Sequence, residues 1–436
     1  MTTDNHSLEL FPDFSTDTVL ARKVEAIDNI LWKNHFRPET HLIYDYCSSR
    51  DFDHRHDHLP SPKEIAAHQP SPCSWQSGME DCMINAGIQL STLVDRYAVT
   101  HDEALKKSAG ELFSGMVTCA TIHGVKGFVV RGVCLADGKS YYPESSRDQF
   151  THFVHGLWRL YHSPLADETQ KNKIRTMLAD VGSFMARHIT EKNQYSFPRL
   201  DRLAATPFAD HSWNPWLGKM WAVLPHEAAR LPMIYAAAWD VTGDHEFFQL
   251  YEKYVEPALQ QSLELHRTPY PAFTMMQMQC SLEIILAVEP HEELRTLCRN
   301  AMIRAAEYSE VCTWDFCRPE STPDFTALPQ DWRLKTHEVY DEYAIPDLGS
   351  FELVRQRIRA VAEAPLVQLM TPDRPMENTQ LGLLKHAIMT LDPALCTSVV
   401  IATLMAPYWR RRHNESADAD GDRKKVLGGD VRPARL

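Results

Sequence analysis

The chain has 436 residues, 44% hydrophobic and 24% charged, with 58 acidic side chains against 45 basic ones and a formal net charge of −13. That is chain enough for about two or three average domains or one large repetitive one, and the acidic balance argues against a nucleic-acid partner. No apolar run approaches the ~20 residues that span a bilayer, which excludes a membrane-spanning class. The opening "MTTDNHSLELFPDFSTD" lacks the basic and apolar regions of a signal peptide. Ten cysteines are scattered singly with no Cys-x-x-Cys, as expected of free thiols in a reducing compartment. The expectation is a soluble cytoplasmic protein, and a homodimer is compatible with it.

In chain order the pattern is helical and comes in pairs. "TDTVLARKVEAIDNILWKNHF" carries Val19, Leu20, Val24, Ile27, Ile30 and Leu31 at spacings of three and four, the period of an amphipathic helix. A loop of Asp, His and Pro follows. Then come "GMEDCMINAGIQLSTLVDRYAVT" with "HDEALKKSAGELFSGMVTCATIH", and "SRDQFTHFVHGLWRLYHS" with "DETQKNKIRTMLADVGSFMARHIT". "PHEAARLPMIYAAAWDVTG" pairs with "DHEFFQLYEKYVEPALQQSLELH", and "PAFTMMQMQCSLEIILAVE" with "PHEELRTLCRNAMIRAAEYSEV". The last segments, "SFELVRQRIRAVAEAPLVQLM", "NTQLGLLKHAIMTLD" and "PALCTSVVIATLM", are shorter. In the loop before "SRDQFTHFVHGLWRLYHS", "KGFVVRGV" (126–133) is a candidate for a short strand or hairpin.

Linkers within pairs are short and punctuated: "VTGDHEFF" puts Gly243 at a helix stop and Asp244 at the next cap. Linkers between pairs are long and rich in Trp, Tyr, His, Asp and Pro. The first helix of several pairs is the more apolar one, which predicts an inner ring of buried helices and an outer ring with one wet face. About six such pairs close into an all-α (α/α)6 toroid over residues 17–409, with the long loops lining a central cavity. An open helical solenoid is the rival; it lacks support because no short fixed repeat is present. Residues 1–16 read as an N-terminal extension. The polar, charged run 410–436 reads as a disordered tail.

On "NILWKNHFRPETHLIYDY", "GMEDCMINAG", "SSRDQFTHFVHGLWRLY" and "AAAWDVTGDHEFFQLY" the chain resembles the six-hairpin glycosidase-like proteins, over roughly residues 17–405. That group includes unsaturated glucuronyl and rhamnogalacturonyl hydrolases and many bacterial sugar-processing proteins. The resemblance implies carbohydrate chemistry at the mouth of a toroid. In the unsaturated glycuronyl hydrolases a Trp-x-Asp segment opens an inner helix and supplies a cavity carboxylate. "SSRDQFTHFVHGLWRLY" is similar in position and apolar pattern, but has Arg before the acid and no Trp.

Hydrolysis of a glycoside requires a proton donor for the leaving oxygen and a carboxylate to activate water or stabilise positive charge on the sugar. A lyase requires a base for the C5 proton and a cation facing the substrate carboxylate. Four loop-to-helix junctions offer such groups. In "SWQSGMEDCMINAG", Glu80 and Asp81 are placed in the first turn of an inner helix. In "YYPESSRDQF", Ser145 or Ser146 caps a helix whose first turn holds Arg147, Asp148 and Gln149, with Tyr142 just upstream. Arg131, in "VVRGV", is a second cation for an acidic sugar. In "ADHSWNPWLGKMWAVLPHEAAR", Trp213, Trp216 and Trp221 lie near Asp210, His211, His226 and Glu227, a sugar platform beside acid/base groups. In "WRLKTHEVYDEYAIPD", His337, Glu338, Tyr340, Asp341, Glu342 and Tyr343 would suit a lyase. The run "DFDHRHDHLP" offers His54, His56 and His58 with Asp51, Asp53 and Asp57 on alternate positions, but no second cluster completes a zinc site, so neither metal nor cofactor is expected.

The sequence thus points to hydrolysis of a carbohydrate, preferably one containing a uronic acid. Asp148 with one of Glu80, Asp81 or Glu227 would act as acid and base, with His226 beside them. Arg147, Arg131, Gln149, Tyr142, Asp210, His211, Trp213 and Trp216 would bind substrate. A lyase using Tyr and His, and a non-catalytic sugar-binding or scaffold protein, remain alternatives.

Overall fold

The computed structural model describes residues 16–47, 51–71, 74, 77–201, 218–265, 272–316, 336–340, 343–346, 362–372, 374, 376, 378–390, 392–393 and 396–419. Thirteen α-helices lie among them: α1 (Thr18–Ile30), α2 (Pro62–Ala66), α3 (Cys82–Thr100), α4 (Leu105–Thr121), α5 (Arg147–Tyr161), α6 (Glu168–His188), α7 (Arg230–Thr242), α8 (His245–Ser262), α9 (Ala272–Val288), α10 (Glu292–Phe316), α11 (362–370), α12 (Asn378–Thr390) and α13 (Ser398–Ala419). They are accompanied by two small antiparallel pairs, β1 (Phe36–Arg37) with β2 (Leu42–Ile43) and β3 (Thr336–Tyr340) with β4 (Tyr343–Pro346), a π-helical turn (Leu31–His35) and two 3-10 turns (Glu191–Asn193 and Pro225–Glu227).

The caps forecast from the sequence form. Ser146 opens α5 with its hydroxyl accepting from the Gln149 amide, and Asp167 opens α6 with a reciprocal capping box through Gln170. Gly243 ends α7 at φ +70°, where a side chain would be strained, and the Asp244 carboxylate accepts from the Glu246 amide to start α8.

Helices α3, α5, α7, α9, α11 and α13 form the inner ring of an (α/α)6 toroid. Neighbours α3–α5, α5–α7, α7–α9 and α13–α3 pack directly. Gln279 of α9 reaches the Val367 carbonyl and Thr371 hydroxyl at α11, and Asn414 of α13 reaches the Leu369 carbonyl of α11. Burial follows this order. Helices α3, α7 and α9 are buried almost all round, α9 from Ala272 to Val288 with few breaks. Helix α8 instead buries the stripe Phe247, Tyr251, Tyr254, Val255, Ala258, Leu259, the single apolar face of an outer helix. The ring is closed by the two ends of the chain: α1 packs on α12 and α13. Asp17 pairs with Lys385 of α12, and Asp28 takes Gln89 and Arg96 of α3.

Two expectations change here. Residues 126–133 form no strand. They run as irregular chain with Phe128, Val129 and Val130 buried, because side chains enclosed by α5 and α6 need no alternating face. The proposed tail boundary after 409 also moves: α13 continues to Ala419, with Arg410 only 7% exposed. The basic run "RRRH" is helical because Arg410 and His413 find buried carboxylates in the ring. Cys47, Cys82, Cys119, Cys134, Cys280, Cys298 and Cys396 are free thiols, and no helix among the described residues is long and apolar enough to cross a membrane.

The inner ring depends on glycine where α3 crosses α5. A Cβ on Gly87 would lie 2.2 Å from the His152 carbonyl oxygen, and one on Gly156 would lie 2.7 Å from the Gly87 Cα. The obstacle is backbone, which cannot rotate aside. Gly87→Ala is expected to cost about 1–3 kcal/mol through forced separation of the two helices, read as a lowered urea midpoint. An unchanged midpoint would show that the helices separate freely.

Candidate active site

The inner helices begin at one end of the ring, and the first residues of α3, α5 and α7 bring charged groups together there. Glu80 and Asp81 lie just ahead of α3 and not in its first turn, Asp81 occupying the N-cap position without a capping side chain. A turn in the chain holds them: the Glu80 carboxylate accepts from the Gly78 amide at 2.7 Å, with Gly78 at φ +81°. Beneath them lies Asp45, which follows β2 and is 8% exposed. Its carboxyl accepts from the Asp81 amide at 3.0 Å and from Asn85 at 2.9 Å.

Helix α5 is tied to this group by Gln149, whose amide nitrogen donates to the Glu80 carbonyl at 2.9 Å and the Asp81 carboxylate at 3.1 Å. Arg131 donates to the same Glu80 carbonyl at 3.2 Å. Arg147 and Asp148 then face the start of α7, and two ion pairs cross that gap. Arg147 Nε meets Glu227 Oε1, and Arg230 Nη1 meets Asp148 Oδ1. Arg230 also donates to Gln277 of α9 at 2.6 Å. His226 Nε2 stands 3.7 Å from Glu227 Oε1. One turn below Asp148 on α5 is His152, fully buried.

This geometry moves the titrations of neighbouring carboxyls in opposite directions. Burial acts to raise Asp148, but the Arg230 and Arg147 guanidiniums outweigh it and hold the carboxyl well below the usual range. Burial raises Glu80, and the negative charge of Asp81 adds to it. Burial with the charges of Glu80 and Asp81 raises Asp45 further. His226 is lowered to about 4, mainly by burial, so the imidazole is neutral near pH 7.

The mouth therefore combines Glu80, Asp81, Arg147, Asp148, Gln149, His226 and Glu227, all singled out in the sequence. Others do different work. Arg131 is 5% exposed and bound to backbone, and Tyr142 is 2% exposed with its hydroxyl on the Gln69 carbonyl. Trp221 packs edge-on against Tyr254 of α8, centroids 4.7 Å apart. Asp210, His211, Trp213 and Trp216 lie outside the described residues. Of the fourth junction, the described part is the β3–β4 hairpin, with His337 opposite Ile345 and Tyr340 opposite Tyr343. The histidines of the 51–60 loop diverge. His54 pairs with Asp57 at the surface, His56 lies buried against Tyr44, and His58 stacks on Tyr46. Among the described residues no group of three or more His, Cys, Asp or Glu side chains could hold a metal ion.

Three site residues escaped the sequence reading: Asp45, Arg230 and Gln277. Only Arg230 left a signal, a lone cation opening the otherwise apolar "RLPMIYAAAW".

Further down the ring, near the C-terminal ends of α3, α5 and α9, lies a second, largely buried charge network. Asp95 accepts from Arg159 at 2.7 Å, Arg410 at 2.9 Å and His413 at 2.7 Å. Glu283 accepts from Arg410 and His155, both at 2.6 Å. Between the two layers lies a cavity lined by Ser91, His152, His155, Met276, Leu366 and Met370, among others.

Comparison with solved structures finds distant likenesses in chain trace. A cellobiose 2-epimerase from Spirochaeta thermophila matches at 10% identity over 91% of this chain and 98% of that one, with a TM-score of 0.49. A sugar epimerase from a ruminal bacterium matches at 9% identity over 85% of each chain, TM-score 0.47. An unsaturated glucuronyl hydrolase specific for heparin matches at 10% identity over 92% of this chain and 96% of that one, TM-score 0.46. These likenesses concern the chain trace and none of the side chains. No family model matches the chain, and no curated protein matches it in sequence.

Proposed function

We propose that the protein is a carbohydrate-active enzyme that cleaves a glycosidic bond by hydrolysis at the mouth formed by the starts of α3, α5 and α7. The observation that carries this reading is the opposite displacement of carboxyl groups on adjacent inner-helix starts. Asp148 is kept ionised between two guanidiniums, while Glu80 is pushed toward its protonated form. Two titratable groups separated in this way are the requirement for acid and base roles in one site.

In this mechanism Glu80 donates its proton to the leaving glycosidic oxygen. Asp148 carries the negative charge that stabilises the electron-deficient sugar carbon while water adds to it. Asp81 beside Glu80 keeps the donor's proton affinity high. Gln149, bound to the Glu80 carbonyl and to Asp81, keeps the two helix starts in register. His226, neutral near pH 7, can accept the proton that the attacking water releases. Support for an anionic sugar is thinner, since Arg147 is paired with Glu227 and Arg131 with a carbonyl.

The test is release of new reducing ends across a panel of oligosaccharides, with absorbance followed in parallel. Turnover is expected without a rise from a C4–C5 double bond; such a rise would move the assignment to a lyase, and binding without turnover to a sugar-binding protein. The pH profile follows from the directions of the shifts. Raised Glu80 keeps its proton to higher pH, so activity should fall on the alkaline side of the ordinary carboxylate range. Depressed Asp148 should place its own acidic limb well below pH ~4. Glu80→Gln should remove the alkaline limb together with about 99% or more of turnover. An unchanged profile in that variant would exclude Glu80 as the donor.

A further inference from the structure

We infer that the sugar unit held at the mouth is uncharged and is read through its hydroxyl groups by Arg147, Gln149, Glu227 and Arg230. This rests on the reading of the mouth as a carbohydrate site and names the class of sugar it takes.

The first observation is charge. Arg147 pairs with Glu227 and Arg230 with Asp148, so the four groups sum to zero and neither guanidinium is left without a counterion. A carboxylate on the substrate would have to displace Glu227 or Asp148 from its cation. Displacing Glu227, only 4% exposed, would leave a buried charge unpaired, a loss several times larger than a surface pair returns.

The second observation is the set of buried polar atoms without a hydrogen-bond partner among the described residues. At the facing starts of α5 and α7 they include Arg147 Nη1 and Arg230 Nε, both donors, and Gln149 Oε1 and Glu227 Oε2, both acceptors. Gln149, Glu227 and Arg230 are each more than nine-tenths buried, so each such atom carries the cost of an unmade bond. Two donors and two acceptors are the complement of hydroxyl groups, each of which donates once and accepts as well. A carboxylate only accepts: it could satisfy the arginine atoms but would face the oxygens of Glu227 and Gln149 with like partial charge. A site that must hydrogen-bond hydroxyls discriminates strongly, because the wrong ligand leaves these atoms unpaired.

The experiment uses the full chain and three matched pairs of methyl glycosides: glucoside and glucuronide, galactoside and galacturonide, mannoside and mannuronide. Affinity is measured by calorimetry at two salt concentrations. In at least one pair the neutral member is expected to bind ten-fold or more tightly than its 6-carboxylate, with no salt dependence. Glu227→Gln, which replaces one acceptor by a donor, should weaken the neutral glycoside about ten-fold and, by freeing the charge of Arg147, strengthen binding of the carboxylate. Arg147→Lys keeps the charge and removes the fork, so it should reproduce that selective loss and guards against a folding artefact in the first variant. Tighter binding of the uronide in the pairs that bind, or no binding by any pair, overturns the inference. Neutral binding without cleavage of any glycoside would instead sink the hydrolytic reading and leave this one standing.

Discussion

Asp148→Asn is expected to reduce turnover by about a hundred- to ten-thousand-fold while the toroid stays folded. The asparagine oxygen can still accept from Arg230, and Arg230 keeps its second bond to Gln277. What is lost is the negative charge that faces the developing positive charge on the sugar, a contribution that a neutral amide cannot replace. The Asp148 side chain is 32% exposed but Arg230 only 1%, so the variant leaves a buried guanidinium without its counterion, and the stability cost should be about 2–3 kcal/mol, above that of a surface pair and below that of a fully buried one. Linkage gives the sign of its pH dependence. The folded-state pKa is below the unfolded one, so the stabilising contribution is fully present above pH ~4 and is lost as pH falls toward the folded value. Single-turnover and steady-state rates on the best glycan of the panel check the first claim, and acid unfolding of the variant checks the second. Near-normal turnover in the asparagine variant would remove Asp148 from the mechanism.

Asp95→Asn should produce the largest loss of stability of any single neutralising change discussed. Asp95 is 2% exposed and holds Arg159, Arg410 and His413 at once, thereby linking α3, α5 and α13. Neutralising it leaves two buried guanidiniums sharing Glu283, an uncompensated charge of the kind that costs about 3–5 kcal/mol. The urea midpoint should fall with little change in slope, because the surface exposed on unfolding is the same. Burial acts to raise the Asp95 pKa, but Arg159 and His413 bring it below the ordinary value. Its contribution is thus complete above pH ~4 and fades on acidification, and the variant should show a shallower acid limb. The partly exposed pair Arg411–Glu415, on one helix face, gives the contrast: Glu415→Gln should change stability by no more than about 0.5 kcal/mol. Equal effects of the two changes would show that burial does not amplify the Asp95 contacts.

The toroid was legible because each helix announces itself locally. Apolar spacing marks α1, small and apolar residues mark α7, and Gly243 with Asp244 marks the turn to α8, all within one or two turns of chain. The candidate site was legible only in part, and for the same reason. Arg147 and Gln149 stood out because a helix start needs a cap such as Ser146 and an acid such as Asp148, but neither of these two beside them. Asp45 lies 35 residues before Glu80 in the chain, and no spacing rule connects them. The 126–133 segment misled because its apolar run reports burial, and burial alone does not distinguish a strand from enclosed irregular chain.

By itself the sequence determined the helices, their caps, their pairing and the division into inner and outer rings, since these depend on residues within a few positions of one another. It also singled out the loop-to-helix junctions whose charged groups meet at the mouth. The tertiary structure alone decided the pairing of charges at those junctions. Arg147, proposed for an acidic sugar, is committed to Glu227, and Arg230, part of an apolar helix by pattern, holds Asp148. It also decided that "RRRH" belongs to the last helix, because Asp95, more than 300 positions earlier in the chain, receives Arg410 and His413. Ionic partners are chosen by where the closed ring places them, and that placement depends on contacts between segments that sequence separation does not relate.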